Sequence, residues 1–298
     1  LRDLTDGEHV NEYGQFAVAA QRTRLGGDAL YADTASDGVI TAIGPVNKNN
    51  FPNRTAKTAL IINDYSVLAG TQGYFHHLKI DRLLEIARKD RLPVIMFTEG
   101  GGGRPGDTDV MVKMAGLNVP TFHKWAALSG VVPRIAVNHG YCFAGNAALF
   151  GAADIRIATE SSNIGMAGPV MIKGGGLGHW EPSQVGPAAV HKKNGVIDIV
   201  VASEAEGVVI AKKVLGFTQG ELNEWVATDQ SRLATVMPEN RRFAYDVRII
   251  LKEIFDTDSL IELRSEMGRS IVTALGRVEG KPVLILASDC RHLGGAID

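Results

Sequence analysis

The chain has 298 residues, 45% hydrophobic and 21% charged, which is an ordinary globular composition with length enough for a full core in one or two domains. A formal net charge of −2 excludes a global basic field for nucleic acid, and no segment reaches the ~18 uncharged apolar residues of a membrane span, so neither nucleic acid nor membrane is expected as a partner. Two cysteines, Cys142 and Cys290, make neither a disulfide framework nor a metal-ligand spacing; no metal is expected, and a reducing, cytoplasmic setting is.

The opening residues Leu1-Arg-Asp-Leu carry neither a methionine nor a signal pattern and read as an excised piece of a longer chain. Residues 41–45 read as strand and 47–53 as turn. From residue 59 strands and helices alternate. Residues 59–64 form a short apolar run, Gly70-Thr-Gln-Gly a turn, and residues 74–89 a helix. Its spacing predicts Leu78, Leu83, Leu84 and Ile86 inward and Lys79, Arg82, Arg88 and Lys89 outward, with His76-His77 half exposed. Residues 93–98 are a strand, 99–109 a glycine-rich loop, and 110–128 largely helical. Residues 133–138 are a strand, 139–143 a loop, 144–151 a short helix and 154–159 a strand. Residues 195–202 and 204–215 add one more strand and helix. A recurrence of this length fits a superhelix of repeated turns as well as an open sheet. Residues 221–252 are more polar and read as a mostly helical linker, and a hairpin with its turn at Glu279-Gly280 follows.

Two turns stand out. Glu99-Gly-Gly-Gly-Gly-Arg-Pro-Gly-Asp follows an apolar strand, and its glycines free consecutive N–H groups to form an anion-binding nest. No Lys-Ser/Thr follows, as a P-loop requires, and a purely structural turn is the plain alternative. Asn138-His-Gly-Tyr-Cys-Phe-Ala-Gly-Asn-Ala-Ala again follows a strand and opens a helix. The N–H groups of Ala144 and Gly145 fall at the helix start, which suits a developing oxyanion. Cys142 is either a nucleophile activated there or a small buried thiol. The two turns lie one repeat apart, so in a parallel arrangement both emerge on one sheet edge and their N–H donors can converge on one carbonyl oxygen.

The stretch from Pro133 to Thr159 resembles a turn of the crotonase fold. Together with Asp64-Tyr-Ser-Val-Leu-Ala-Gly-Thr-Gln-Gly, the four-glycine loop, residues 195–206 and residues 272–283, it resembles the carboxyltransferase component of biotin-dependent acyl-CoA carboxylases. The resemblance implies an α/β crotonase-like ββα superhelix. It divides the chain into an acyl-CoA-binding domain over 1–220, a helical linker over 221–260 and the truncated start of a second carboxyltransferase domain over 261–298. It implies transfer of CO2 from carboxybiotin, carried on a carrier domain, to the α-carbon of an acyl-CoA through an enolate held by backbone amides. By motif, Gly101 and Gly102 with Ala144 and Gly145 would face the thioester oxygen, while Gly100, Gly103 and Arg104 shape the loop. Arg104 would pair with a CoA phosphate or a loop carboxylate. Lys79 and Arg82 would meet CoA phosphates unless they form a solvated face. Residues 165–178 would line the acyl pocket, an interface, or only the surface.

The sequence departs from the commoner family forms, Ser-Gly-Gly-Ala-Arg and Ala-Gly-Gly-Ala, at the four-glycine loop and at Phe143-Ala-Gly-Asn146, so Phe143 and Asn146 are expected to alter acyl fit. The partners implied are biotin carboxylase and biotin carrier domains, a second carboxyltransferase domain and further copies in a homo-oligomer, with this chain holding only the CoA half-site. Four other readings fit the same residues. One is a crotonase-type hydratase or isomerase using Glu99, Asp107 or Asp109. The others are a biotin-dependent decarboxylase subunit, a serine-protease relative, and a non-catalytic assembly subunit.

Overall fold

A computed structural model of the chain describes residues 1–7, 9–110, 119–240 and 242–297. Its first elements are β1 (Asn11–Tyr13), α1 (Gly27–Asp33), β2 (Val39–Pro45), α2 (Asn53–Ala56), β3 (Lys57–Asn63), α3 (Tyr74–Asp90) and β4 (Val94–Phe97). There follow α4 (Thr121–Ala126), β5 (Arg134–Asn138), β6 (Tyr141–Phe143), α5 (Gly145–Gly151), β7 (Ile155–Thr159) and β8 (Asn163–Gly165). Next come α6 (Pro169–Gly174), α7 (Ala188–Asn194), β9 (Ile199–Val201) and α8 (Glu204–Gln219). The last are α9 (Leu233–Val236), α10 (Val247–Ile254), β10 (Ile261–Leu263), β11 (Ile271–Val278) and β12 (Lys281–Ser288).

The apolar runs assemble into a seven-stranded sheet ordered β1-β2-β3-β4-β5-β7-β9. Its first three strands pair antiparallel and the rest parallel. The parallel strands are largely apolar because both faces are covered, and the charged exceptions Arg134 and Arg156 are paired with Asp154 and Asp198. Val94 and Met96 of β4 pack with Leu83, Trp125 and Phe150 on the side of α3, α4 and α5. Ile95 and Phe97 face Ala211, Val214 and Leu215 of α8.

A second layer decides between superhelix and open sheet. β6 pairs with β8, and single parallel bridges join Gln72 to Gly103 and Gly100 to Cys142. Each pass of the chain therefore gives one strand to the large sheet and one turn to this stack, and the passes after β3, β4 and β5 also give the helices α3, α4 and α5. That is a ββα superhelix. At the C-terminal end β10, β11 and β12 form a three-stranded antiparallel sheet. Val272, Ala274 and Ile285 close a small core there with Val247, Leu251 and Phe255, and both long strands rest on α8.

Several expectations need correction. Lys79 does not point outward: it is only 7% exposed, and its Nζ donates to Ser36 O at 2.7 Å and to Val39 O. His76 and His77 are buried too, while Leu78 is 47% exposed. Periodicity places Leu83 and Leu84 inward and Arg82, Arg88 and Lys89 outward as found, but it fails at Leu78 and Lys79, where the turn at residues 35–38 takes the ammonium. Tyr141–Phe143 is a strand rather than loop, because Gly100 N–H donates to Tyr141 O and Phe143 N–H to Gly100 O. The described residues of 221–252 are mostly irregular, with helix at α9, in the 3-10 turn Gln230–Arg232 before it, and in the part of α10 that falls within them. Backbone bonds with distant partners hold that segment, Leu222 N–H to Gly280 O and Thr257 N–H to Val226 O. Within the expected helix over 110–128, α4 is formed, and residues 111–118 lie outside the described residues. No helix among the described residues is long and apolar enough to cross a membrane.

Candidate active site

β4 and β5 are neighbours running the same way, so the turns that follow them leave the sheet on one edge. There the two turns meet. Gly102 has φ +89°, and a methyl group built on it would lie 2.6 Å from Ala144 Cβ, 3.3 Å from Phe143 O and 3.6 Å from Gly145 N. Only glycine permits that approach.

The four predicted donors are therefore brought together, but three of their N–H groups already have acceptors. Gly101 N–H donates to Ala69 O at 3.1 Å and Ala144 N–H to Gly165 O at 2.9 Å. Gly102 N–H donates to Asn146 Oδ1 at 3.0 Å. Gly145 N–H, at the first position of α5, donates to no described residue. Neither does the N–H of Gly103. Because Gly102 O and Arg104 N both serve the main chain of Gln72, the bridge geometry turns the Gly103 N–H away from Gln72. Ala144, with φ 51° and ψ −117°, holds the kink that begins α5. Such a conformation in a residue other than glycine costs ~1–3 kcal/mol and persists only where its surroundings impose it.

Side chains knit the turns in place. Asn146 is fully buried, and its Nδ2 donates to Glu99 O at 3.1 Å. Arg104 meets carboxylates: it pairs with buried Asp37, lies 3.7 Å from Asp107, and donates from Nη2 to Thr71 O at 2.7 Å. Asp107 is the loop carboxylate expected beside Arg104, and Asp37 adds a second from the turn at residues 35–38. Phe143 is buried and stacks on Tyr141, with ring centroids 5.8 Å apart. Arg82 is exposed and pairs with Glu85. Lys79 is buried, with its Nζ donating to the backbone of residues 36 and 39. In residues 165–178, α6 buries nothing and leaves Val170 and Met171 exposed.

No carboxylate of the turns aims at the junction. Asp107 accepts from Tyr74 N–H at 2.8 Å and from Gln21 Nε2 at 3.1 Å, and Asp109 accepts from Arg22 and Thr23 N–H. Glu99 continues the alternation of Ile95 and Phe97 toward α8, accepts from His139 N–H and feels Glu204; burial pushes its carboxyl up to about 7. Burial likewise pushes the Cys142 thiol far up, which rules out a ready thiolate. A cavity of about 1060 Å³ lies on the α8 side, lined by Phe51, Phe217 and Trp225, and none of the turn residues reaches it. Among the described residues no group of three His, Cys, Asp or Glu could hold a metal.

One neighbour of the junction escaped the sequence reading. Gln72 sits in the turn one repeat earlier, 4% exposed, with its Oε1 2.3 Å from where a methyl on Gly145 would stand. The signal was its place in Gly70-Thr-Gln-Gly, a third turn on the same edge.

The carboxyl transferase domain model matches residues 10–298. The chain belongs to the carboxyl transferase family. It is 48% identical, with a TM-score of 0.95, to a solved single-chain, multi-domain long-chain acyl-CoA carboxylase, covering 99% of this chain and 29% of that one. Against the hexameric transcarboxylase 12S structure, solved with methylmalonyl-CoA, identity is 26% and the TM-score 0.80, over 100% of this chain and 57% of that one. It is 26% identical to the biotin-dependent long chain acyl-CoA carboxylase beta4 subunit of Mycobacterium tuberculosis, over 96% of this chain and 55% of that one. Members of the family among these neighbours share the crotonase-like fold, and the chain spans about half the length of the curated relatives it matches.

Proposed function

We propose that the chain is the acyl-CoA half of the carboxyltransferase in a biotin-dependent acyl-CoA carboxylase. The observation that carries this is the meeting of two turns at one sheet edge, with the N–H groups of Gly145 and Gly103 finding no acceptor among the described residues, in a chain of this family. When an acyl-CoA loses its α-proton, negative charge moves onto the thioester oxygen. Fixed main-chain donors stabilise that oxyanion without reorganising, which is where such sites act most strongly. Gly101, Gly102 and Ala144 serve by holding the frame, through Ala69, Asn146 and Gly165, rather than by touching the oxygen. Gly100 and Arg104 set the loop, and Phe143 walls it. Carboxybiotin, when bound, supplies the carboxyl group.

Residues 1–220 form the acyl-CoA-binding domain in this reading, 221–260 the linker and 261–298 the opening of the second domain, here docked on α8. Biotin carboxylase, a biotin carrier, the second carboxyltransferase domain and further copies of the chain complete the enzyme, in the cytoplasm. The hydratase alternative requires a carboxylate at the junction, and Glu99, Asp107 and Asp109 are all engaged elsewhere. The test is carboxyl transfer in the complete enzyme. Biotin-dependent carboxylation of an acyl-CoA is expected; turnover of an enoyl-CoA without biotin, and no carboxylation, would reject the assignment.

A further inference from the structure

Gln72 carries a buried amide, only 4% exposed, whose Nε2 has no hydrogen-bond partner among the described residues. Leaving a buried donor unsatisfied costs ~1–3 kcal/mol, so a folded chain that keeps one calls for a reason. The main chain of Gln72 is fixed on both sides, its N–H donating to Gly102 O at 2.7 Å and its O accepting from Arg104 N–H at 2.9 Å. That bridge ties it to the glycine loop. The carboxamide reaches across to α5. Oε1 faces the Gly145 Cα, and Phe122 Cζ stands 3.1 Å from the same point, closing the far side. The terminal torsion of a carboxamide is broad and two-fold, so a half-turn exchanges Oε1 for Nε2 and sets a second donor beside the Gly145 N–H.

We propose that the Gln72 carboxamide is a catalytic donor to the acyl-CoA carbonyl oxygen, acting beside the main-chain amides. This rests on the reading of the junction as an acyl-CoA site. A neutral side-chain N–H adds to the electrostatic stabilisation of the enolate without bringing a proton that the reaction would have to move.

The experiment uses the complete enzyme with Gln72→Leu and Gln72→Met, which keep the volume and remove the donor. Both are expected to fold as the parent does, because the lost N–H had no partner to lose. Carboxylation kcat is expected to fall ~10²-fold, as when one oxyanion donor is removed. Affinity for a thioether analogue of the acyl-CoA, which lacks the carbonyl oxygen, is expected to stay unchanged. A kcat within about twofold of the parent in both variants overturns the proposal and leaves the acyl-CoA reading intact. An equal loss of affinity for thioether and thioester overturns it too, since that marks packing or a bridging water. A parent enzyme without acyl-CoA carboxylation removes instead the reading on which the proposal rests.

Discussion

Gly145→Pro is expected to lower the kcat of acyl-CoA carboxylation by ~10²–10³, the loss typical of one oxyanion donor. The substitution removes an N–H that no side-chain change reaches. Proline suits the first position of a helix, where the N–H has no intrahelical acceptor. Two local costs accompany it. A Cβ at residue 145 would meet Gln72 Oε1 at 2.3 Å, and a following proline restricts Ala144, whose ψ is −117°. Gly145→Ala brings the same Cβ and keeps the N–H, so the ratio of the two kcat values separates collision from lost donor. Steady-state kinetics of both variants, with circular dichroism to confirm folding, reads the difference. Equal activity would show that the Gly145 amide does not meet the reacting oxygen.

The second large effect concerns stability. Arg104 and Asp37 form a salt bridge with side-chain exposures of 2% and 0%. Removing one partner of a buried pair leaves an uncompensated charge and costs ~3–5 kcal/mol. Arg104→Met is expected to lose that much in denaturant unfolding of the complete enzyme. Asp37→Asn added to it should restore part of the loss, because the orphaned charge goes as well. Arg104→Lys should not rescue, since a single ammonium cannot serve Asp37, Thr71 O and Thr71 Oγ1 together as the guanidinium fork does. A loss below about 1 kcal/mol for Arg104→Met would mean that water or another cation reaches Asp37.

Much of this architecture could be read beforehand, for definite reasons. The parallel strands are buried on both faces, so β3, β4, β5 and β7 carry short apolar runs, at residues 59–62, 94–97, 135–137 and 157–158. The two active turns declare themselves because close backbone contact demands glycine, as at Gly102. Which amide is free was not legible. The N–H of Gly102 is taken by Asn146 from the next repeat, and that of Gly101 by Ala69 from the preceding one. Those acceptors depend on how successive turns stack, which no local pattern encodes. The same limit explains Lys79: helical spacing sets its angle on α3 but not the turn that buries its stem and takes its ammonium. Gln72 was overlooked because a polar residue between glycines looks like turn chemistry, and its isolation shows only once the neighbouring turns surround it.

A structure of the complete enzyme with a bound acyl-CoA tests the site most directly, through the distances from the thioester oxygen to the amide nitrogens. Gly145 N and Gly103 N should each lie about 2.7–3.1 Å from that oxygen, with Gly101 and Gly102 still bonded to Ala69 and Asn146. A thioester seated elsewhere, with the Gly145 N–H facing only water, would contradict the assignment.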